Sequence, residues 1–264
     1  MSMTVISYLV AGSAEDRDPS LPHICVSDLI KSATLAATTT EVGRSVATVK
    51  GPTTYNGWRP SASTSTITAT LASAQSIDYI AMFGDFAGIT ITAQYSTDGS
   101  TYTTLGDGIP ADSGAFLVLG DTVENVTHVR VSFAGGVPTI YNLSAGLSFI
   151  PENGMPVGFA PGRLNFEDEY TNTESASGQI LGRALLRSGV TESVEIDAIN
   201  RAWVDTNWLT LRKLLRTQGA YVAWNPLLYP KEVIYGMASK SPGVSYSDPL
   251  YMAISLEFKG PCFA

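Results

Sequence analysis

The chain has 264 residues, of which 44% are hydrophobic and only 15% charged, and its formal net charge is −8. Nucleic-acid phosphates are bound by clustered Lys and Arg residues, so this acidic balance argues against nucleic-acid recognition. We also expect neither a membrane span nor a signal peptide. No apolar stretch reaches the ~18 residues of a spanning helix, and the first residues, MSMTVISYLVAG, lack a basic start.

The first long segment with a regular pattern runs from residue 65 to residue 150. In STITATLA, the apolar Ile67, Ala69 and Leu71 alternate with threonines, which predicts a strand with one face in the core and one in water. IDYIAMFG is apolar almost throughout and predicts a central strand. Five further strands are predicted, at GITITAQYS, STYTTLG, GAFLVLG, THVRVSF and TIYNLSAGLSFI. Many short strands at regular spacing are typical of a β-sandwich or jelly roll.

A tight turn is predicted within this segment, in AQYSTDGSTYTTLG (residues 93–106). Asp98 and Gly99 lie there between two runs rich in Tyr and Thr. An Asp-Gly pair readily adopts the positive φ angles of a two-residue hairpin loop, and Tyr and Thr suit the flanking strands. The segment is therefore predicted to be a β-hairpin.

The pattern breaks at residues 150–163, IPENGMPVGFAPGR, which contain three prolines and three glycines. This composition disfavours regular structure and is typical of a linker between domains. We therefore predict a β-domain over residues 1–150, a linker over 151–163 and a second domain over 164–264.

The second domain is predicted to be an α+β unit. Its clearest element is a helix over residues 206–218, with Asp205 as the N-cap and Gly219 just beyond the C-terminus. The apolar residues that recur at helical spacing are Trp208, Leu211 and Leu215. Extended segments are predicted around the helix, at GQILGRALLRSG, VTESVEIDAI, AYVAWNP, KEVIYGMAS and LYMAISLEFKG.

Candidate metal ligands are few and scattered. The two histidines, His23 and His128, have no Cys or Asp neighbours at zinc-binding spacing. The aspartates of the predicted turns lack the spacing of an EF-hand, and we expect them to form turns; they are Asp85, Asp98, Asp107 and Asp112. We predict no metal and no cofactor.

The two cysteines, Cys25 and Cys262, lie near opposite ends of the chain. Two buried thiols are favoured here, because the sequence has no export signal. A disulfide that joins the ends is the alternative.

A catalytic site would need a nucleophile with a base, paired carboxylates or a metal set. The best candidate is NFEDEY, which contains Glu167, Asp168 and Glu169. On an extended segment only Glu167 and Glu169 share a face, so the segment is interpreted as a solvated acidic stretch rather than a glycosidase pair. No GxSxG motif is present, and the chain is predicted not to be an enzyme.

Residues 20–150 resemble the galactose-binding-like, discoidin-type β-sandwich. Three features carry the resemblance: Trp58 before the first core strand, the run Ile77-Asp78-Tyr79-Ile80, and the hairpin from Ser96 to Gly99 followed by Tyr102. The form of these motifs is similar to that in tail and baseplate proteins of tailed bacteriophages. The order of elements after the linker resembles the tail-tube-like domain of phage distal tail proteins, in which a twisted sheet with one flanking helix joins neighbouring subunits into a ring.

The resemblance implies a mainly β chain with a galactose-binding-like β-sandwich and a C-terminal tail-tube-like α+β domain. It also implies a structural virion component of the tail tip or baseplate, made in the host cytoplasm. Such a subunit forms a homo-oligomeric ring and acts as an adaptor that contacts the tail-tube protein, the baseplate hub and the tape-measure protein. Both three-fold and six-fold rings are compatible with one subunit sequence.

Carbohydrate binding is the alternative function that the resemblance implies, with a host surface glycan as the ligand. The candidate residues are Trp58, Arg59, Asp85 and Phe86, in loops at one end of the sandwich. Aromatic rings offer an apolar platform for sugar faces, and an Arg fork pairs with hydroxyls. Trp58 lies where the family places a core Trp, so a packed ring is favoured over a stacking one.

Overall fold

The computed structural model describes residues 6–8, 18–111, 113–156, 159, 161, 166–247 and 249–261. The fold is mainly β. Its strands are β1 (Ile6–Tyr8), β2 (His23–Cys25), β3 (Thr34–Ala37), β4 (Ser65–Asp85), β5 (Ile89–Ser96), β6 (Thr103–Ala111), β7 (Gly114–Ala134), β8 (Thr139–Gly146), β9 (Phe166–Glu174), β10 (Ile180–Asn200), β11 (Ala220–Ala223), β12 (Val233–Ala238), β13 (Gly243–Tyr246) and β14 (Tyr251–Pro261). The helices are α1 (Arg201–Leu215) and two short 3₁₀ helices, Ile30–Ser32 and Val46–Lys50. In this part of the chain, no helix is both long and apolar enough to cross a bilayer.

The first sheet has the order β3-β4-β7-β5-β6, with β8 added to β4 and β1 added to β7. Strands β4 and β7 pair antiparallel on both sides of an irregular stretch between Thr70 and Tyr79, where their register shifts. The segments STITATLA and IDYIAMFG, predicted as two strands, are therefore one continuous strand. GAFLVLG and THVRVSF likewise join as β7. The ladder continues through the register shifts, and both halves of the long strands contribute to one buried core, which makes the unit sandwich-like.

The alternation predicted for STITATLA is confirmed. Ile67 and Ala69 are buried in the sandwich core, and Thr68 between them faces outward. IDYIAMFG is buried on both faces, because Ile80 and Met82 enter the same core while alternate residues point the other way.

The second sheet has the order β2-β11-β12-β14-β10-β9, with β13 added to β14. Helix α1 covers one face, where Trp208, Leu211 and Leu215 pack in a core that includes Ile196 and Phe258. The buried face of the helix is thus the predicted one.

The predicted start of this helix is wrong. Asn200 is the N-cap, and its Oδ1 accepts a hydrogen bond of 2.9 Å from the backbone N–H of Ala202. Asp205 lies inside the helix and pairs with Arg201 at 3.4 Å. The helix ends at Leu215, so Gly219 does not follow its C-terminus directly. Asn and Asp are comparable N-caps, and the earlier one is used because β10 ends there.

The other face of the second sheet packs on the sandwich. The buried residues of this contact, which we call the seam, are Cys25, Tyr79, Ala81, Phe83, Ala115, Leu117, Leu119, Tyr221, Ala223, Val233 and Tyr235. The chain also crosses the predicted domain boundary, because β2, within residues 1–150, pairs with β11 through Ile24 and Val222. Cys25 is buried, whereas Cys262 lies outside the described residues, so their pairing stays a prediction.

Candidate functional site

The amino acids predicted to bind a glycan lie together at one end of the first sheet, where β8 begins. Trp58 forms two backbone hydrogen bonds with Ile140, of 2.8 and 2.9 Å. Asp85 at the end of β4 lies opposite Thr139 in the ladder. The segment that starts β8 therefore lies between Trp58 and Asp85, two positions far apart in sequence.

Both aromatic rings of this set are fully buried. The Trp58 ring packs 6.2 Å from Phe133, centroid to centroid, and its Nε1 donates to Thr40 Oγ1 at 3.1 Å. The Phe86 ring packs 6.3 Å from Phe116. Neither ring offers a face to a sugar. The packed position was favoured for Trp58, whereas Phe86 was expected to lie in a glycan-binding loop.

The exposed members of the set are Arg59 and Asp85. Arg59 Nε lies 3.9 Å from Glu41 Oε2, and the Asp85 carboxylate accepts hydrogen bonds from Ser113 Oγ and, at 3.5 Å, from the N–H of Ala87. The segment YNGWRP also contains an exposed aromatic ring that was not predicted. This ring belongs to Tyr55, whose surface is 85% exposed. Its signal was the polar, turn-rich context that precedes Trp58.

The predicted hairpin is present, but its loop is longer than two residues. β5 ends at Ser96 and β6 begins at Thr103. Asp98 Oδ1 organises the loop by accepting hydrogen bonds of 2.8 Å from the N–H groups of Thr101 and Ser100, which hold the pKa of Asp98 below its usual range. Only Gly99 of the Asp-Gly pair has a positive φ, of 77°. An aspartate loop of this kind replaces the expected two-residue turn.

The acidic segment at 167–169 lies at the base of a projecting two-stranded ribbon, which we define as residues 166–190 of β9 and β10. Glu169 pairs with Arg187 at 2.6 Å, and Glu167 lies 3.6 Å from Lys259. Asp168 accepts hydrogen bonds from Ser188 Oγ and Tyr170 Oη, which lower its pKa. A groove of about 690 Å³ runs beside these residues, between the ribbon, the second sheet and the sandwich loop at 52–54.

The ribbon itself is exposed on both of its faces. Nearly every side chain from residue 167 to residue 187 is exposed. Its apolar side chains include Ile180 (68% exposed), Leu181 (66%) and Leu186 (60%). Within the described part of the chain β9 pairs only with β10, so its outer edge has no neighbouring strand there.

Within the described residues, no group of three or more His, Cys, Asp or Glu side chains is placed to hold a metal ion. His23 is buried, with Nδ1 3.3 Å from Ser148 Oγ, and His128 Nδ1 lies 2.9 Å from Thr127 Oγ1. Asp112 lies outside the described residues.

No protein-family model and no curated protein matches the sequence. Several solved structures are similar to part of the chain. Chitosan-binding module 1 from a chitosanase/glucanase of Paenibacillus sp. IK-5 is 16% identical, with a TM-score of 0.40 over 45% of this chain and 97% of that module. The module CpGH89CBM32-5 from Clostridium perfringens, solved with GalNAc-β-1,3-galactose, is 17% identical, with a TM-score of 0.41 over 46% and 99%. A third structure, a putative α-L-fucosidase from Bacteroides thetaiotaomicron, is 15% identical, with a TM-score of 0.41 over 46% of this chain and 28% of that one.

Two of these neighbours are carbohydrate-binding modules, and the third is the fucosidase. None of the three is a phage tail protein. The chain is mainly β, with sandwich-like sheets.

Proposed function

We propose that the chain is a structural subunit that assembles with copies of itself through the ribbon. The observation that carries this proposal is the exposure of Ile180, Leu181 and Leu186 on a ribbon with two open faces. A two-stranded hairpin is at best marginally stable in water, and contiguous exposed apolar side chains mark interaction surfaces. A neighbouring chain that covers the ribbon stabilises the hairpin and removes its apolar side chains from water.

The backbone of the ribbon supports the same proposal. Among the described strands, none pairs with the outer edge of β9 over Phe166–Glu174, and an open edge of this kind accepts a strand from another chain. Copies of one chain are the commonest partners in symmetric assemblies. A head-to-tail contact between the ribbon and a different surface of the next copy closes into a ring when the rotation is suitable.

We place this subunit at the tail tip or baseplate of a tailed phage, in line with the resemblance of its motifs and element order. Its partners there are the tail-tube protein, the hub and the tape-measure protein. The sandwich serves as an adaptor, held rigidly to the second sheet through the buried seam. The chain carries no reaction of its own in this role.

Native mass spectrometry of the full chain tests the proposal. We expect a closed oligomer for the wild type, ring-shaped particles by electron microscopy, and a monomer for the double variant Leu181→Lys with Leu186→Lys. Leu209→Lys is the matched control, because Leu209 is equally apolar and 73% exposed but lies on α1. A monomeric wild type, or a double variant that assembles like the control, contradicts the proposal.

Recognition of a host glycan is a second candidate function. The observation that favours it is the exposed Tyr55 ring, three residues before Trp58 and close in sequence to the half-exposed Arg59. An aromatic ring offers an apolar surface to a sugar face, and an Arg guanidinium donates hydrogen bonds to sugar hydroxyls. A glycan array with wild type, Tyr55→Ala and Arg59→Gln tests it. A signal that both variants abolish supports glycan binding at this end of the sandwich, and a blank wild-type array contradicts it.

A further inference from the structure

The outer face of the sandwich is a continuous row of polar side chains. These side chains alternate with the core residues of β4, β7, β5 and β6, and they are Thr66, Thr68, Arg130, Ser132, Thr92, Gln94 and Thr104. In the ladder Arg130 lies opposite Thr68 on one side and opposite Gln94 on the other. Neighbouring strands are about 4.8 Å apart, so hydroxyl and amide groups surround the guanidinium at close spacing.

Arg130 is held in place on this face. Its Cζ lies 3.6 Å from the ring centroid of Tyr102, and its Nε donates a hydrogen bond of 2.9 Å to Gln94 Oε1. Gln94 is fixed in turn, since its Nε2 donates to Thr104 Oγ1 at 3.3 Å. A ligand therefore does not have to immobilise this arginine when it binds.

Within the part of the chain that the structure describes, the Nη groups of Arg130 are available to a ligand. In the described residues neither Nη donates a hydrogen bond, and no carboxylate forms an ion pair with the guanidinium. The carboxylate of Asp107, on the same sheet, accepts the hydroxyl of Thr92 at 2.9 Å. His128 lies two residues before Arg130 on β7, with its Nδ1 beside Thr127 Oγ1.

We propose that this face binds an acidic glycan, with a sugar carboxylate on the Nη fork of Arg130. Guanidinium and carboxylate match as two parallel hydrogen bonds. The flanking hydroxyls of Thr68 and Ser132 and the amide of Gln94 pair with sugar hydroxyls. Apart from the Tyr102 ring, which stacks on Arg130, the side chains named on this face are polar. The core of a protein interface is richer in apolar side chains, so a protein partner is disfavoured. This site is separate from the end of the sandwich that contains Tyr55, and it does not depend on assembly through the ribbon.

Calorimetric titration of the full chain with oligogalacturonate and with its fully methyl-esterified form tests the proposal. The two ligands share a backbone and differ in the carboxylates. We expect the acidic form to bind at least about tenfold more tightly, and Arg130→Gln to weaken its binding by about tenfold or more, as is typical of a lost charged hydrogen bond. Arg130→Lys keeps the charge but loses the fork, so it should bind more weakly than the wild type.

Arg183→Gln is the matched control, because Arg183 stacks on Tyr170 at 3.7 Å but lies on the ribbon. Its affinity for oligogalacturonate should equal that of the wild type. Tyr102→Leu removes the ring and leaves the guanidinium, and a several-fold loss is expected. Equal binding of the acidic and esterified forms, or unchanged binding by Arg130→Gln, overturns the proposal. Equally tight binding of poly-glutamate overturns it in favour of an acidic protein partner.

Discussion

The Tyr221 hydroxyl of the second sheet donates a hydrogen bond of 2.6 Å to Asn142 Oδ1, on β8 of the sandwich. Both side chains are buried, and Asn142 Nδ2 donates in turn to the carbonyl of Gly51 at 2.9 Å. A second tyrosine of the seam, Tyr235, donates to the carbonyl of Pro52 at 3.0 Å. The two units are thus joined by directional contacts as well as by apolar packing, and the seam specifies one relative orientation.

Tyr221→Phe should lower the free energy of unfolding by about 1–3 kcal/mol, because it leaves the buried Asn142 Oδ1 without its donor. Chemical denaturation of the full chain measures the change. Tyr55→Phe is the control, since the Tyr55 side chain is exposed, and its effect should stay within about 0.5 kcal/mol. Equal stabilities of the two variants would show that the seam hydrogen bond contributes nothing.

The stability of the chain should depend on the protonation of Asp28. Burial raises the pKa of the Asp28 carboxyl from 3.8 to about 7, against the smaller opposing effect of the N–H groups of Ile30 and Lys31. The unfolded chain releases this proton near pH 4, whereas the folded chain keeps it until about pH 7. The contribution of Asp28 to stability is therefore fully present below about pH 4, falls as the pH rises towards about 7, and is constant above that.

Asp28→Asn should remove this slope, which is up to about 1.4 kcal/mol per pH unit. Urea titrations of the wild type and the variant between pH 4 and pH 8 isolate the Asp28 term as the difference between the two curves. Parallel curves across this range would mean that Asp28 has an ordinary pKa in the folded chain.

The hairpin loop supplies a test of backbone strain. Gly99 has φ 77°, and a Cβ at this position would lie 2.7 Å from Cε1 of His128. Gly99→Ala should therefore destabilise the chain by about 1–3 kcal/mol. Gly43→Ala is the control, because Gly43 has φ 82° but no atom within 4 Å of the position that a Cβ would take, so it reports the strain without the contact. Melting curves should place Gly99→Ala below Gly43→Ala, and the reverse order would contradict the loop geometry.

The alternating strands of the sandwich were predictable because a strand with one wet face leaves a direct pattern in the sequence. The burial of IDYIAMFG on both faces could be predicted from its apolar run, but the element that buries the second face could not. Tyr79 and Phe83 are covered by the second sheet, and its strands β11 and β12, which contribute to the seam, come more than a hundred residues later in the chain. Local patterns report that a residue is buried, whereas the partner that buries it is a tertiary property.

Loops and boundaries were harder to predict. An aromatic residue beside a turn is compatible with a core ring or an exposed ring, and only the contact of Trp58 with Ile140 and the packing of Phe86 on Phe116 decide between them. The ribbon was difficult to predict for a different reason. GQILGRALLRSG mixes four large apolar residues with two arginines, which suits a strand that is buried on one side, so nothing in it indicated that both Ile180 and Leu181 would be exposed.

Trp58→Ala should lower the free energy of unfolding by about 3–5 kcal/mol, because it leaves a large cavity in the sandwich core and removes the donor to Thr40 Oγ1. Tyr55→Ala, three residues earlier, is the control and should leave the melting temperature nearly unchanged, since its ring is exposed. The pair separates a structural aromatic from a binding one. If the chain recognises glycans at this end of the sandwich, Tyr55→Ala loses the sugar and keeps its stability. A Trp58→Ala variant that melts with the wild type but loses a glycan signal would contradict the packed position of the ring and return Trp58 to the binding site.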